Sequence, residues 1–379
     1  MIQETIAFIR DHYRTKDFIP LHEPCFIGNE KEYLNECIDT TFVSSVGKFV
    51  DSFEEEVVKF TGAKHAIATV NGTAALHTAL LIAGVESADE VITQALTFVA
   101  TCNAISYIGA KPVFVDVDKH TMGLSPEKLE SFLTSETKMV QGECINRRTN
   151  NRIKAVVPMH TFGLPIQMDE LCRVCEKFKL ILVEDAAESL GSSYKGKYTG
   201  TFGTVGTLSF NGNKTITTGG GGMVLTNDDA LAQKAKHLTT TAKVPHRWDF
   251  EHDEIAYNYR LPNINAALGC AQMEKLDRIL TNKRALAKKY KDFFEDKEVE
   301  FVSEPKDTKA NYWLNALVLK DLKTRNRFLE ETNDNGVMTR PIWKLMSNLA
   351  IFKGAQKADL ENSIWLEERV VNIPSSVKI

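Results

Sequence analysis

The stretch TLSFNGNKTITTGGGGM (207–223) places one lysine, Lys214, between a β-like run and four consecutive glycines, Gly219 to Gly222. β-Branched and aromatic residues flank it at Val205, Leu208, Phe210, Thr215, Ile216 and Thr217, a pattern that predicts a lysine held between buried strands. An amine stripped of water in this way is a nucleophile suited to Schiff-base chemistry. The glycines let backbone pass close to a ligand or a neighbouring strand. Upstream, the acidic stretch Glu184-Asp185-Ala186-Ala187-Glu188 ends the apolar run LILVE (180–184) and offers a buried carboxylate at a strand end.

Three further features complete a chemical set. Asn71-Gly72-Thr73 opens a helix, where unpaired N–H groups and the helix dipole favour an anion, most naturally a phosphate. Ser209 can add a hydroxyl to it, and Phe98 can lie flat against a planar ligand. Phosphate clamp, aromatic face, carboxylate (Asp185) and amine (Lys214) together describe a site for pyridoxal 5′-phosphate: the carboxylate keeps a pyridine nitrogen protonated and the lysine holds the aldehyde. Each part also has an ordinary structural reading, as a helix cap, a core aromatic or a solvated lysine. Their joint presence is what points to chemistry.

The elements that must position these groups alternate. Strands are expected at 65–69, 89–93, 111–117, 152–158 and 180–184, with helices at 71–84, 97–108, from Ser125-Pro126, and at 168–178. Near-continuous apolar strands between helices mean a largely parallel sheet covered on both faces, with ligands at the carboxyl ends of its strands. Helices are also expected in residues 1–20, 31–37 and 46–60. The loop QGECINRRTNN (141–151) carries Arg147 and Arg148, with Arg152 just beyond. It reads as a solvated hairpin before it reads as a phosphate contact. After about residue 240 the pattern changes to a loop rich in His, Arg and aromatics (246–260). A long helix at 263–294 follows, then strands near 313–319 and 336–340 and helices at 322–333 and 361–370. The expected division is a large domain, 1–245, and a smaller α/β domain, 246–379, with the N-terminal helix of 1–20 packing on the small domain.

Composition excludes several classes. The chain has 379 residues, 43% hydrophobic and 25% charged, with a net charge of −4, which fits a globular protein without the basic excess of a nucleic-acid binder. No apolar stretch approaches a membrane span, and MIQETIAFIRDHY lacks a signal-peptide pattern, so a cytoplasmic location with no membrane partner is expected. Seven irregularly spaced cysteines read as reduced thiols. Cys172 and Cys175 fall on the apolar stripe of one helix, and no second pair completes a zinc site, so no metal is expected.

The motifs VNGTAALHTAL (70–80), TFVAT (97–101), KPVFVDVD (111–118), EDAAESLGSSYKGK (184–197), GTFGTVGTLSFNGNKTITTGGGGM (200–223) and YNYRLPNINAALG (257–269) run through most of the chain. On these the sequence resembles the sugar aminotransferases of the DegT/DnrJ/EryC1/StrS family, within the fold type I enzymes that use pyridoxal phosphate. The resemblance implies that fold, with Lys214 as the cofactor-bearing lysine and proton shuttle and Asp185 as partner of the ring nitrogen. It puts Glu188 near the ring hydroxyl, Gly72, Thr73 and Ser209 on the phosphate, and Phe98 stacked on the ring. It also implies a homodimer with shared active sites, Asn258 reaching the phosphate of a neighbouring subunit and Arg260 lying near that interface. Where the family often reads TTGEGG this chain has four glycines, a departure at a position with no assigned chemistry. Dehydrating relatives carry a histidine in place of the lysine, so Lys214 favours transamination.

IPLHEPCFIGNEKEYL (19–34), FVSSVGKFVDSFE (42–54) and RPIWKLM (340–346) look most like the branch acting on UDP-linked N-acetylated 4-keto-6-deoxy sugars, closest to legionaminic acid biosynthesis. The expected reaction moves an amino group from L-glutamate to C4 of such a sugar; a GDP- or dTDP-linked ketosugar is the alternative. For the substrate, Arg340 and Lys344 suit a diphosphate and Trp343 a sugar or uracil face. His160, after a strand with Phe162, is expected to line the site, and Trp313 and His246 are further candidates. Two other classes compete. A nicotinamide enzyme of Rossmann type lacks G-x-G-x-x-G after the first strand. A non-catalytic regulator on the same fold has no use for Lys214, Asp185 and the phosphate motif together.

Overall fold

The computed structural model describes residues 1–378. Its centre is a seven-strand run: β1 His65–Thr69, β2 Glu90–Gln94, β3 Lys111–Val115, β4 Arg152–Val157, β5 Ile181–Asp185, β6 Val205–Ser209 and β7 Gly222–Thr226, in the spatial order β1-β7-β6-β5-β4-β2-β3. The pairs β6/β5, β5/β4, β4/β2 and β2/β3 are parallel, while β7 is antiparallel to both neighbours. The sheet is therefore mixed, and six of its seven strands run the same way. Their carboxyl ends share one edge, and β7 begins there.

Side chains alternate across the sheet because successive Cβ atoms of a strand point to opposite faces. Ile67, Val91, Val157, Val183, Val205 and Val224 pack on one face with Ala75, Leu76, Ala79 and Leu80 of the buried helix Gly72–Ile82. On the other face, Ala66, Ala68, Leu208, Met223 and Leu225 meet Phe49, Phe53 and Phe210. Ile92, Val113, Val115, Val156 and Leu182 meet Leu129, Leu171 and Val174. The segment 137–146 is a hairpin of two short strands, Thr137–Val140 and Glu143–Asn146. Arg152 is held there by Asp89 and Glu143 rather than left free for a phosphate.

The second unit is a four-stranded antiparallel sheet in the order Glu300–Phe301, Asn315–Val318, Val370–Ile373, Arg340–Pro341. The N-terminal helix Ile2–Tyr13 joins its core through Ile6 and Ile9, against Tyr290, Phe294, Phe328 and Val371. Three expectations change. The helix anticipated at 263–294 is two, Asn263–Met273 and Leu276–Phe294, separated at Glu274-Lys275, where Lys275 leaves helical geometry at φ −109°, ψ 1°. Ala266, Ala267, Cys270 and Met273 pack with Phe53 and Phe210 in the core of the large sheet. A boundary at residue 246 therefore cuts through that core, and the change of unit falls within Leu276–Phe294. At the chain's end the last helix is shorter, Glu361–Glu367, and Val370–Ile373 is a central strand of the small sheet.

Candidate active site

At the shared edge of the large sheet, Thr69, Gly222 and Ser209 stand in one register row, and Thr207 pairs with Asp185. Chain segments leaving β1, β5 and β6 thus surround a cavity of about 260 Å³ whose walls include Gly72, Phe98, Asp185, Glu188, Ser209 and Lys214. Two glycines make this crossing possible. A Cβ on Gly222 would lie 2.4 Å from the Asn71 carbonyl oxygen, and one on Gly72 would lie 2.8 Å from the Ser209 Cβ. Gly220, where the family often has glutamate, has nothing nearer than the Val70 carbonyl at 3.8 Å, so packing does not demand glycine there.

The anion end follows from the helix start. Asn71 caps the helix, its Oδ1 accepting the Ala74 N–H at 2.8 Å, and the Asn71 carbonyl accepts the Ala75 N–H. The N–H groups of Gly72 and Thr73 precede the first intrahelical bond, and both residues line the cavity with Ser209. Gly72→Ala is expected to displace that hydroxyl and weaken phosphate-dependent cofactor binding at least ~10-fold, about the worth of one charge-assisted hydrogen bond. A titration of apoprotein with pyridoxal phosphate, followed by absorbance, measures it.

At the opposite end Asp185 closes β5. Its Oδ2 accepts the Thr101 hydroxyl at 2.8 Å and its Oδ1 the Ala187 N–H at 3.2 Å. Burial raises its pKa, opposed by the Thr101 hydrogen bond. The carboxylate has hydrogen-bond donors but no ion-pair partner among the described residues, so a cationic ring nitrogen is the complement this buried acid lacks. Thr101 was not singled out from sequence; its only signal is the spacing from Phe98 across the first turn of the helix Val99–Tyr107.

Lys214 lies on the loop joining β6 to β7, in a turn closed by its own N–H to the Asn211 carbonyl at 3.0 Å. The run Thr215–Thr217 anticipated as strand is irregular, because Thr217 and Thr218 turn back onto the Phe210 carbonyl. The Lys214 amine is nonetheless shielded, with its side chain 12% exposed. Nζ lies 3.4 Å from Glu188 Oε1 and 4.0 Å from the centre of the Trp313 ring. Glu188 Oε2 accepts the N–H of Phe162, which sits in left-handed geometry at φ 55°.

Burial raises the Glu188 pKa from 4.5 to about 7, against the pull of Lys214. The unfolded carboxyl ionises first, so between pH 4.5 and about 7 the folded chain binds more protons and loses stability as pH rises. The thermal midpoint of the apoprotein should therefore fall relative to Glu188→Gln across that window. Parallel curves would contradict this.

Other expected residues fall elsewhere. His160 is fully buried: Nδ1 accepts the Ile166 N–H, and Nε2 donates to Glu184 at 3.2 Å, so the ring sits beneath the sheet edge and is withdrawn from the substrate set. Trp313 is buried under Lys214 rather than open to a sugar. Arg340 is exposed, with Nη1 donating to Asn333 Oδ1 and the Thr339 carbonyl. Trp343 stands at the mouth, 6.3 Å from Phe98 and 5.0 Å from Phe162 between ring centres, with Lys344 exposed beside it. Asn258 and Arg260 bond to each other on the surface at 3.1 Å and do not line their own chain's cavity. His246 is an exposed loop residue accepting the Asp249 N–H.

Residues 24–379 match the model of the DegT/DnrJ/EryC1/StrS aminotransferase family. Among curated proteins the chain is 38% identical to a GDP-perosamine synthase of Escherichia coli O157:H7 and 36% to one of Vibrio cholerae. The first alignment covers 94% of this chain and 93% of the relative, the second 94% of each. Among solved structures it superposes on Helicobacter pylori PseC, an aminotransferase involved in the biosynthesis of pseudoaminic acid, with a TM-score of 0.85, 25% identity and 94% of each chain covered. It also matches DesI, solved in the presence of its TDP-sugar product, with a TM-score of 0.83 and 26% identity over 95% of this chain and 88% of that one.

Proposed function

The chain belongs to the DegT/DnrJ/EryC1/StrS aminotransferase family, and from that membership we propose that it aminates C4 of a nucleotide-linked 4-keto-6-deoxy sugar at the expense of L-glutamate. Family membership makes it a nucleotide-sugar aminotransferase of fold type I that uses pyridoxal phosphate. The observation that carries the amino-transfer chemistry is the convergence of Lys214, Asp185, Gly72 and Thr73 on one cavity.

Bound there, the cofactor supplies an electron sink that lets a proton leave carbon next to nitrogen. The chain's residues do the rest. Gly72, Thr73 and Ser209 would hold the phosphate, Phe98 would offer its ring to the cofactor, and Asp185 would balance positive charge at the ring nitrogen. Lys214 Nζ takes a proton from the amino donor and returns one to the sugar-derived carbon, with Glu188 beside it as a reservoir that titrates near neutrality.

For the sugar nucleotide, the likeness to GDP-perosamine synthases favours a GDP-linked substrate over the UDP-linked acetamido sugar that the motifs at 19–34, 42–54 and 340–346 suggest. The two are separated by incubating the holoenzyme and L-glutamate with GDP-, UDP- and dTDP-linked 4-keto-6-deoxy sugars and following 2-oxoglutarate release. Preference for the GDP-sugar supports the reading. Preference for the acetamido UDP-sugar restores the motif-based one, and no release with any of them overturns the class. Asn258 and Arg260 are proposed to complete the site of a second copy in a homodimer, which accounts for their place outside their own cavity.

A further inference from the structure

Behind Lys214 lies a second lysine that the reaction does not use. Lys283, on the helix Leu276–Phe294, is 1% exposed. Its Nζ donates to the Trp313 carbonyl at 3.1 Å and the Ser375 carbonyl at 2.9 Å, and lies 2.9 Å from His22 Nε2. No carboxylate pairs with it among the described residues. The other ring nitrogen of His22, Nδ1, is buried and has no hydrogen-bond partner among the described residues. The Asn213 carbonyl receives the Trp313 indole N–H at 2.6 Å. Asn213 is the residue before Lys214, and the Trp313 ring lies under the Lys214 amine.

Packing alone does not account for a lysine here. A methionine would fill similar volume without taking an ammonium out of water. What the ammonium adds is direction: its N–H groups fix a carbonyl of the Trp313 segment and a carbonyl of the C-terminal segment. One of these partners, Trp313, then reaches the Asn213 carbonyl through its indole N–H. We propose that Lys283 is a positioning residue for Lys214, acting through Trp313 to hold the 211–214 turn so that the reactive amine stays at the cavity edge. The inference rests on Lys214 carrying the amino transfer.

The test uses Lys283→Met in the holoenzyme and the apoprotein. Expected are a thermal midpoint at or above wild type, a kcat lower by about 10–100-fold with KM for L-glutamate within about threefold, and amide hydrogen exchange over 210–218 at least ~10-fold faster, strands β1 to β5 being unchanged. Exchange in the apoprotein reads the turn without the reaction, so a failure of the functional assignment leaves it interpretable. A folded Lys283→Met with wild-type exchange at 210–218 and kcat within twofold overturns the proposal. If that variant does not fold, Trp313→Phe decides: it keeps a smaller aromatic ring under Lys214 and removes the indole N–H to Asn213. Faster exchange confined to 210–218 supports the proposal, and wild-type exchange there overturns it.

Discussion

Replacing Lys214 with alanine lowers turnover by about 10³–10⁴-fold, the range expected when a positioned general acid–base is removed. The side chain does two jobs, and the geometry separates them. It is the only amine on the cavity wall among the described residues, which makes it the proposed covalent anchor for the cofactor aldehyde, and it sits between Glu188 and the Trp313 ring, placed to move a proton. The phosphate contacts at Gly72, Thr73 and Ser209, together with Asp185, do not depend on it. The variant should therefore still bind pyridoxal phosphate, with reduced affinity. Borohydride reduction followed by peptide mapping should attach the cofactor to the peptide containing residue 214 in the wild type and to no peptide in the variant. Turnover within tenfold of wild type, or attachment at another lysine, would sink the assignment.

The chemistry was legible where residue type and chain direction act together. β1 lies at 65–69 as its β-branched and small apolar residues imply, and Asp185 ends a strand whose apolar run makes it central. Because parallel strands must deliver their carboxyl ends to one edge, the separation in sequence between Gly72, Asp185 and Lys214 vanishes once the sheet is inferred. What stayed hidden depends on contacts between distant segments. His160 follows a strand as the site residues do, but the chain turns sharply at Phe162 and sends the imidazole down to Glu184. Arg340 looks free in RPIWK until Asn333, one helix away, binds it. The unbroken apolar period of 263–294 conceals a break because both halves keep one buried face, the first toward the large sheet and the second passing to the small one. Lys283 and His22 carried no sequence signal at all, since nothing local distinguishes a lysine that will be saturated by carbonyls from one in water.

Asp185→Asn should cost about 10²–10³-fold in kcat, the scale of removing one preorganised electrostatic partner from a water-excluded site. The substitution keeps shape and leaves an oxygen to accept from Thr101 or Ala187, so the fold has little reason to suffer. It removes the negative charge that the end of β5 presents to the cavity. Without it a ring nitrogen held there loses its reason to stay protonated, and the electron sink weakens for both half-reactions alike. The expected signature is a parallel drop in kcat with L-glutamate and with the ketosugar, and cofactor affinity reduced much less than for Gly72→Ala. Thr101→Val provides the graded control: the carboxylate remains but loses its hydroxyl donor and its fixed orientation. A loss of about tenfold there, between wild type and Asp185→Asn, would show that both the charge and its aim matter. If Asp185→Asn retained full activity, the ring nitrogen would have to be balanced elsewhere, and the assignment of this buried acid would fail with it.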